Sequence, residues 1–253
     1  MPPFQEQLAA FRRIYADRDG RDGPPPAWFP GDRERRGANL SAFIRETGQQ
    51  DYQALHRWSV QDRAGFWEAV IRRLGVPMEM GPCGVLDASS DAENPRWLPG
   101  ATMNIIDACF RQLPDTPAVI QGSDGTEDME QLTYGELDQL SNAFAAGLER
   151  AGLKEGDGVA LYMPMNIQCV AAYIGTVRAG LRVISIPDSF PAPEVYRRME
   201  LGRARMVVTV AAFQRGERTF KLYERVKVAN GPAAIILPGP DGEAPTLRPG
   251  DLM

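Results

Sequence analysis

The stretch that decides the fold is Leu132 to Met165, LTYGELDQLSNAFAAGLERAGLKEGDGVALYMPM, continued from Ala171 to Phe190 as AAYIGTVRAGLRVISIPDSF. Thr133 and Glu136 have the T-x-x-E spacing of a capping box, in which a hydroxyl and a carboxylate satisfy free amides at a helix start. Apolar residues then recur at helical spacing, at Leu137, Leu140, Phe144, Leu148 and Ala151. The stretch therefore predicts a helix that ends at Gly152, followed by the buried strand GVALYM.

Helices and strands alternate on both sides of this unit. A second helix is predicted from about Asn166 to Ala179, and a third is opened by Pro193 and runs through Met199. The predicted strands are RVISI, ARMVVTV and AAIILP, and upstream the segment AVIQGSDGTEDMEQLTY predicts two short strands joined by a Gly-Ser-Asp-Gly turn. Strands alternating with helices of this length favour parallel pairing through right-handed crossovers. The fold class is therefore α/β, a parallel sheet flanked by helices.

The residues before this unit predict a helical extension. FQEQLAAFRRIY has helical apolar spacing, whereas DRDGRDGPPPAWFPG is rich in Gly, Pro and charge and is typical of a linker. The basic run Arg33, Arg35 and Arg36 is interrupted by acidic residues and predicts a solvated loop. Further helices are expected around residues 38–47 and in DRAGFWEAVIRRLGV, which Gly75 would end.

These patterns divide the chain into three parts. Residues 1–37 are a leader and linker, and residues 38–103 are a helical cap. Residues 104–253 are an α/β unit.

Composition excludes several classes of function. The net charge is −5 and the sequence pI is near 5.1, so the chain has no electrostatic footprint for nucleic acid or for an anionic membrane. No apolar run approaches the roughly 18 residues of a membrane span, and no secretory signal is visible. The three cysteines are far apart and are not spaced as metal ligands. We therefore expect a protein of the cytoplasm.

The usual catalytic motifs are missing. The sequence has neither a G-x-x-x-x-G-K-S/T loop nor a strand-linked G-x-G-x-x-G. The one histidine, His56, lies in LHRWSV, where a packed or hydrogen-bonding structural role is expected because catalysis would need nearby partners. We assign no catalytic residue and no metal site.

Four elements in sequence order resemble a known family. They are DYQALHRWSVQDRAGFWEAVIRRLGV, the run Asn94-Pro-Arg-Trp-Leu-Pro-Gly100 with Asn104, Leu132-Thr-Tyr-Gly-Glu-Leu137, and Arg178-Ala-Gly before the strand RVISI. Over residues 39 to 253 the chain is similar to the N-terminal part of AMP-forming acyl-CoA synthetases. The resemblance is to the acetyl-CoA and acetoacetyl-CoA synthetase branch. Within that branch, IPDSFPAPEVYRRM and QRGERTFKLYERV look closest to plant-type acyl-activating enzymes.

The resemblance implies an adenylate-forming domain and an ATP-dependent ligase. Such an enzyme uses Mg²⁺-ATP, a small-molecule carboxylate and coenzyme A (CoA). It would lie in the cytoplasm or, by family resemblance, in peroxisomes. The family's phosphate loop and catalytic lysine would follow the GDLM sequence at residues 250–253, so we expect this chain alone to be inactive. The acyl substrate and the oligomeric state are not specified by these residues.

The resemblance also implies a site for CoA. In acetyl-CoA synthetases an R-x-x-R element at the position of Arg215 and Arg218 meets the 3′-phosphate of CoA, and a guanidinium grips phosphate well. Where the branch often has a Gly-Gly pair, this chain has Asp188 and Ser189. We therefore predict a CoA site at Arg215, Arg218, Asp188 and Ser189, altered by the carboxylate. The simpler interpretation of the two arginines is an exposed loop partly neutralised by Glu217.

An alternative function remains open at this point. The chain could be a short, non-catalytic module that binds CoA or a nucleotide, or that pairs with a partner supplying the missing half of the fold. The regular apolar patterning argues against this alternative, and the Asp188-Ser189 pair argues for it.

Overall fold

The computed structural model describes residues 3–19, 21, 30–87, 89, 91, 93–122, 129–239 and 244–253. The expected Gly-Ser-Asp-Gly turn after its first glycine, and most of the expected linker, lie outside the described residues. The chain divides into two compact units, Met1–Leu74 and Gly75–Met253.

The first unit is helical. Its helices are α1 Phe4–Ile14, α2 Asp32–Gly37, α3 Asn39–Glu46, α4 Tyr52–Gln61 and α5 Arg63–Leu74. Phe66 joins α5 to its neighbours, because its ring lies edge-on to the rings of Phe43 (5.9 Å) and Trp58 (5.6 Å). Gly75, at φ +57°, follows α5 as predicted.

The basic run corrects one expectation. Arg33, Arg35 and Arg36 are exposed, but they lie in helix α2 and not in a loop. Acidic residues occupy the first turn of α2, and Arg35 and Arg36 occupy the last. That arrangement opposes the helix dipole at both ends and stabilises a short helix.

The second unit is built on a four-stranded parallel sheet in the order β4-β3-β5-β8. The sheet strands are β3 Gly158–Tyr162, β4 Arg182–Ile186, β5 Ala204–Val210 and β8 Ala234–Leu237. Two antiparallel hairpins accompany it, formed by β1 Pro117–Gly122 with β2 Met129–Thr133, and by β6 Phe213–Arg215 with β7 Arg218–Phe220. The helices are α6 Ile106–Cys109, α7 Tyr134–Arg150, α8 Ile167–Arg178, α9 Ala192–Gly202 and α10 Leu222–Ala229. The predicted α/β class and its parallel sheet are thus present.

The core is centred on β3, whose residues are all buried. Two neighbouring strands pair with it in parallel, β4 on one side and β5 on the other. Val207 and Val208 on β5 are fully buried as well. Strands buried on both faces have continuous apolar sequences, which is why GVALYM and ARMVVTV are recognisable in the sequence.

Helix α7 begins with the predicted capping box. The Thr133 hydroxyl accepts from the amide of Glu136, and the Glu136 carboxylate accepts from the amide of Thr133 at 2.8 Å. The carboxylate accepts from the Thr133 amide and also from the Thr133 hydroxyl (2.9 Å), and these two hydrogen bonds favour its charged form and lower the pKa of Glu136. The helix ends at the predicted place, where Gly152 has φ +86°.

Asn104 explains the W-L-P-G-x-x-x-N element. Its side-chain amide donates to the carbonyls of Val177 (3.1 Å) and Arg178 (3.2 Å), which lie in the last turn of α8. Its side-chain oxygen accepts from the amide of Ile106 at 3.1 Å. Asn104 therefore ties the segment before α6 to the carboxyl end of α8.

Helices α7 and α8 approach each other through a glycine. A Cβ atom on Gly175 would lie 2.6 Å from both the Cβ of Phe144 and the carbonyl oxygen of Ser141. These contacts involve the body of α7, so a side chain at Gly175 can fit only if the two helices separate. Gly175 therefore fixes the distance at which α8 packs on α7.

A buried carboxylate secures the end of the described chain to the sheet. Asp251, whose side chain is 1% exposed, accepts from the Tyr223 hydroxyl (2.5 Å), the Ala234 amide (2.8 Å) and the Arg248 guanidinium (2.9 Å). Burial alone would raise the pKa of Asp251. The hydrogen bonds outweigh it and bring that pKa below its ordinary 3.8.

In the part of the chain that the structure describes, no helix combines the length and the apolar character needed to cross a membrane.

Substitution of Gly175 by alanine tests the close approach of α7 and α8. We expect Gly175→Ala to lower the free energy of unfolding by about 1–3 kcal/mol, the usual range for overpacking in a close-packed interior. Gly147→Ala on α7 is the matched control, because a Cβ there meets nothing within 4 Å. At an open helical position, replacing glycine by alanine raises the free energy of unfolding by about 0.5–1 kcal/mol. Urea unfolding of both variants measures the difference, and equal stability of the two would contradict the packing argument.

Substitution of Asp251 by asparagine tests the buried carboxylate. At pH 7 we expect Asp251→Asn to lose about 2–3 kcal/mol, because Arg248 keeps its charge beside a neutral side chain. Since the folded-state pKa of Asp251 is depressed, its stabilisation is present above about pH 4 and is lost as the pH falls through that pKa. The difference in free energy of unfolding between wild type and variant should therefore be smaller in urea titrations at pH 3 than at pH 7. The control Asp115→Asn, at an exposed site, should leave the free energy of unfolding unchanged. If the difference between wild type and Asp251→Asn does not depend on pH, the buried carboxylate does not stabilise the fold through its charge.

Candidate functional site

An open cavity of about 650 Å³ lies at the carboxyl edge of the parallel sheet. The chain passes from β3 to β4 on one side and then returns to place β5 on the other side. Loops diverge at such a switch point and leave a crevice, which is where α/β proteins bind ligands. The apolar part of the lining comes from the ends of three strands and includes Pro164, Val210, Phe213 and Leu237.

Amide side chains form the polar part of this lining, at Gln121, Asn166, Gln168 and Gln214. Two of them have structural roles at the start of α8. The side-chain oxygen of Gln121 accepts from the amide of Ile167 at 2.8 Å, and that of Asn166 accepts from the amide of Cys169 at 2.8 Å. The described lining is uncharged, so this cavity suits a neutral group of a ligand rather than its phosphate.

Two of the predicted site residues form an ion pair beside this cavity. Asp188, in the loop after β4, meets Arg215, in β6, with a nitrogen-to-oxygen distance of 2.7 Å. The side chain of Asp188 is 13% exposed and that of Arg215 is 57% exposed. Within the pair, the Arg215 guanidinium is therefore open to solvent, whereas the Asp188 carboxylate is mostly buried. Ser189 is exposed next to Asp188.

The β6–β7 hairpin brings the two predicted arginines together. Arg215 and Arg218 are directly opposed across its antiparallel register. Opposed residues of an antiparallel pair project from the same face, so both guanidinium groups lie on one face of the hairpin. Gly216, at φ +57°, provides the left-handed conformation that this tight turn requires.

The two guanidinium groups of this cluster suit an anion, although the cluster as a whole is neutral. Arg215 and Arg218 carry two positive charges, Asp188 offsets one of them, and Glu217, exposed in the turn, offsets the other. Guanidinium groups are permanently charged and match the geometry of phosphate oxygens. A phosphate group would therefore be bound by direct contact with the exposed guanidinium groups and not by a net positive charge.

Sequence reasoning missed two residues that organise this cluster. A single nitrogen of Arg225, Nη1, donates to the carbonyl of Asp188 (3.0 Å), the hydroxyl of Tyr162 (3.1 Å) and the carbonyl of Phe190 (3.3 Å). Tyr162 is fully buried, and its hydroxyl donates to the Phe190 carbonyl at 2.7 Å. Burial raises the pKa of Tyr162, although the nearby Arg225 opposes that rise. The hydroxyl therefore stays protonated at neutral pH and keeps its donor role.

A signal for Arg225 was present in the sequence. It lies in α10, where Leu222, Val226 and Ala229 have helical spacing and are buried. Neither α10 nor the β6–β7 hairpin was among the predicted elements. Recognising the helix would have placed Arg225 beside an apolar face.

The histidine lies on the surface of the first unit. His56 is exposed on α4, and its ring lies 6.3 Å from the ring of Tyr52. Of the two structural roles expected for it, packing and hydrogen bonding, packing is thus limited to this surface ring contact.

Comparison with known proteins identifies two matching family models. The model described as AMP-binding enzyme matches residues 106–242, more than half of the chain. The model described as acetyl-coenzyme A synthetase N-terminus matches residues 52–109. Along the sequence, the match to the acetyl-coenzyme A synthetase N-terminus comes first and the match to the AMP-binding enzyme follows it.

Among curated relatives, a hexanoyl-CoA synthase of Cannabis sativa is 30% identical over 99% of this chain and 37% of its own length. The probable acyl-activating enzyme 17 of Arabidopsis thaliana, described as peroxisomal, is 28% identical over 93% of this chain and 35% of its own length. The structure is similar to that of an acetoacetyl-CoA synthetase from Streptomyces lividans, with a TM-score of 0.81 and 27% identity. That match covers 90% of this chain and 37% of the other. The chain thus spans little more than a third of the length of these relatives.

Proposed function

Since the chain belongs to the family of AMP-binding enzymes, we propose that it forms the N-terminal portion of an ATP-dependent acyl-CoA synthetase. The observation that carries this proposal is the tandem order of the two family matches, an acetyl-CoA synthetase N-terminus followed by an AMP-binding segment. The names of the relatives, which include synthetases of hexanoyl-CoA and acetoacetyl-CoA, support it.

The proposed reaction has two steps. A carboxylate first attacks ATP, with Mg²⁺ present, to give an acyl-adenylate and pyrophosphate. The thiol of CoA then displaces AMP to give the acyl-CoA. Adenylation is needed because a carboxylate oxygen is a poor leaving group, whereas AMP is a good one. Groups that stabilise charge at phosphorus would drive the first step, and we assign none of the described residues to it.

We assign this chain a role in the second step. The exposed guanidinium groups of Arg215 and Arg218 would bind the 3′-phosphate of CoA. Asp188 would orient Arg215 through their 2.7 Å ion pair and would not itself contact the phosphate, because two anions repel. Ser189, exposed beside Asp188, could donate a hydrogen bond to the same ligand. The uncharged cavity nearby would take a neutral part of CoA or of the acyl group.

The proposed location is the cytoplasm or the peroxisome. The Arabidopsis relative carries the word peroxisomal in its name.

We predict that this chain, assayed alone, makes no acyl-adenylate from short or medium-chain acids. Adenylation needs phosphate-binding groups, and the described lining of the cavity carries no charge that could supply them. The measurement is exchange of labelled pyrophosphate into ATP, with and without carboxylate. Carboxylate-dependent exchange above background would contradict this prediction.

We also predict a selective effect of removing the two charges from the hairpin. In the complete enzyme, Arg215→Gln and Arg218→Gln should each raise the KM for CoA about tenfold, the effect of losing one charge-assisted contact of about 1.5 kcal/mol. The rate of adenylate formation should stay at the wild-type value, because CoA does not take part in that step.

Arg150→Gln is the matched control for these substitutions, since Arg150 is exposed at the end of α7. It should leave both half-reactions unchanged. An equal loss of both half-reactions in the Arg215 and Arg218 variants would indicate folding damage and would argue against a CoA contact.

A further inference from the structure

We propose that Arg225 is a positioning residue for the CoA half-reaction. It would act by holding the loop of residues 187–190 and the β6–β7 hairpin in the arrangement that directs Arg215 toward phosphate. The inference rests on the proposed function for its ligand, but the contacts that carry it involve this chain alone.

The first contact is with the loop. Nη1 of Arg225 donates to the carbonyls of Asp188 and Phe190, and the Tyr162 hydroxyl shares the Phe190 carbonyl at 2.7 Å. Tyr162 ends β3, and its own backbone carbonyl accepts from the buried Thr209 hydroxyl of β5 at 2.6 Å. The loop is therefore anchored to the central strands of the sheet through two carbonyl oxygens.

The second contact is with the hairpin. The guanidinium of Arg225 lies over the ring of Phe220, with its carbon 5.9 Å from the ring centroid. Phe220 stacks on Phe213 at 5.2 Å with an interplanar angle of 19°. Arg215 lies over the ring of Phe213 at 5.4 Å. The four side chains form a continuous column with an arginine at each end, and cation–π attraction favours both ends.

The loop and the hairpin that Arg225 contacts are joined to each other by the ion pair of Asp188 and Arg215. Asp188 belongs to the loop and Arg215 belongs to the hairpin, and they come within 2.7 Å only when both elements are in place. Arg225 touches the loop by hydrogen bonds and the hairpin by stacking. It is only partly exposed and its Nη1 donates to protein groups, so we assign it no direct contact with phosphate.

The test combines two measurements on Arg225→Met. In the complete enzyme we expect its KM for CoA to rise about tenfold, similar to the loss of a charge-assisted contact. The KM for 3′-dephospho-CoA should change by less than about twofold, because that substrate lacks the phosphate that Arg215 would meet. Adenylate formation should be unchanged. In this chain, hydrogen exchange at the Phe190 amide, which donates to the Pro187 carbonyl at 3.1 Å, should become at least about tenfold faster.

The chain offers matched variants. Arg197→Met removes an exposed arginine of α9, and it should change neither measurement. Tyr162→Phe keeps the buried ring and loses one donor to the loop, so it should shift both measurements in the same direction by a smaller factor. Arg225→Lys keeps a charge with three donors and should recover most of the wild-type affinity for CoA.

The outcomes separate this inference from the proposed function. If the wild-type enzyme does not distinguish CoA from 3′-dephospho-CoA, the phosphate role of Arg215 and Arg218 is wrong, and the hydrogen exchange alone decides the positioning role. If the enzyme does distinguish them and Arg225→Met changes neither KM nor exchange, the positioning role is wrong. Equal losses in both half-reactions, not recovered by lysine, would also overturn it, because they would show that Arg225 serves stability alone.

Discussion

The structure of the second unit depends on one constraint, the burial of β3 on both faces between two parallel neighbours. A strand in this position can pair only if helices cover the sheet on either side, and both α8 and α9 contact β3. Gly175 sets how closely one of these helices can pack on α7, since a side chain there would collide with α7. The parallel order then brings every strand's carboxyl end to one edge. The candidate site is thus located by the same constraint that builds the core.

The candidate site combines two kinds of surface with different chemistry. The cavity at the switch point is lined by apolar and amide groups, whereas the adjoining hairpin carries the arginines. CoA has a charged nucleotide end and a neutral, amide-containing arm, so one molecule could use both surfaces. The carboxylate at Asp188, which would repel a phosphate if it were free, is instead paired with Arg215. This pairing makes the acidic residue compatible with the proposed binding of an anion.

The sequence predicted the central elements of the α/β unit because they follow local rules, but it missed α2, α10 and the β6–β7 hairpin. The capping box at Thr133 and Glu136, the apolar runs of β3 and β5, and the glycine stops all depend on neighbours within a few residues. The site was predicted only in part. Arg215 and Arg218 were proposed through a family motif, but the pairing of Arg215 with Asp188 joins residues 27 positions apart. The role of Arg225 could not be predicted, because its contacts with Asp188 and Tyr162 span three separate elements and no local pattern encodes them.

The buried hydroxyl of Tyr162 has a thermodynamic consequence for any ligand of this site. Loops at the edge of a sheet usually become ordered when a ligand arrives, and the lost backbone freedom, of order 1–2 kcal/mol per residue, then weakens binding. Here residues 187–190 are held by hydrogen bonds from Tyr162 and Arg225 in the folded chain without any ligand. The entropy of this loop is therefore given up as part of folding, before any ligand is present. Any ligand of this edge of the sheet would then bind without the cost of ordering the loop, and Tyr162 would link that gain to the burial of β3.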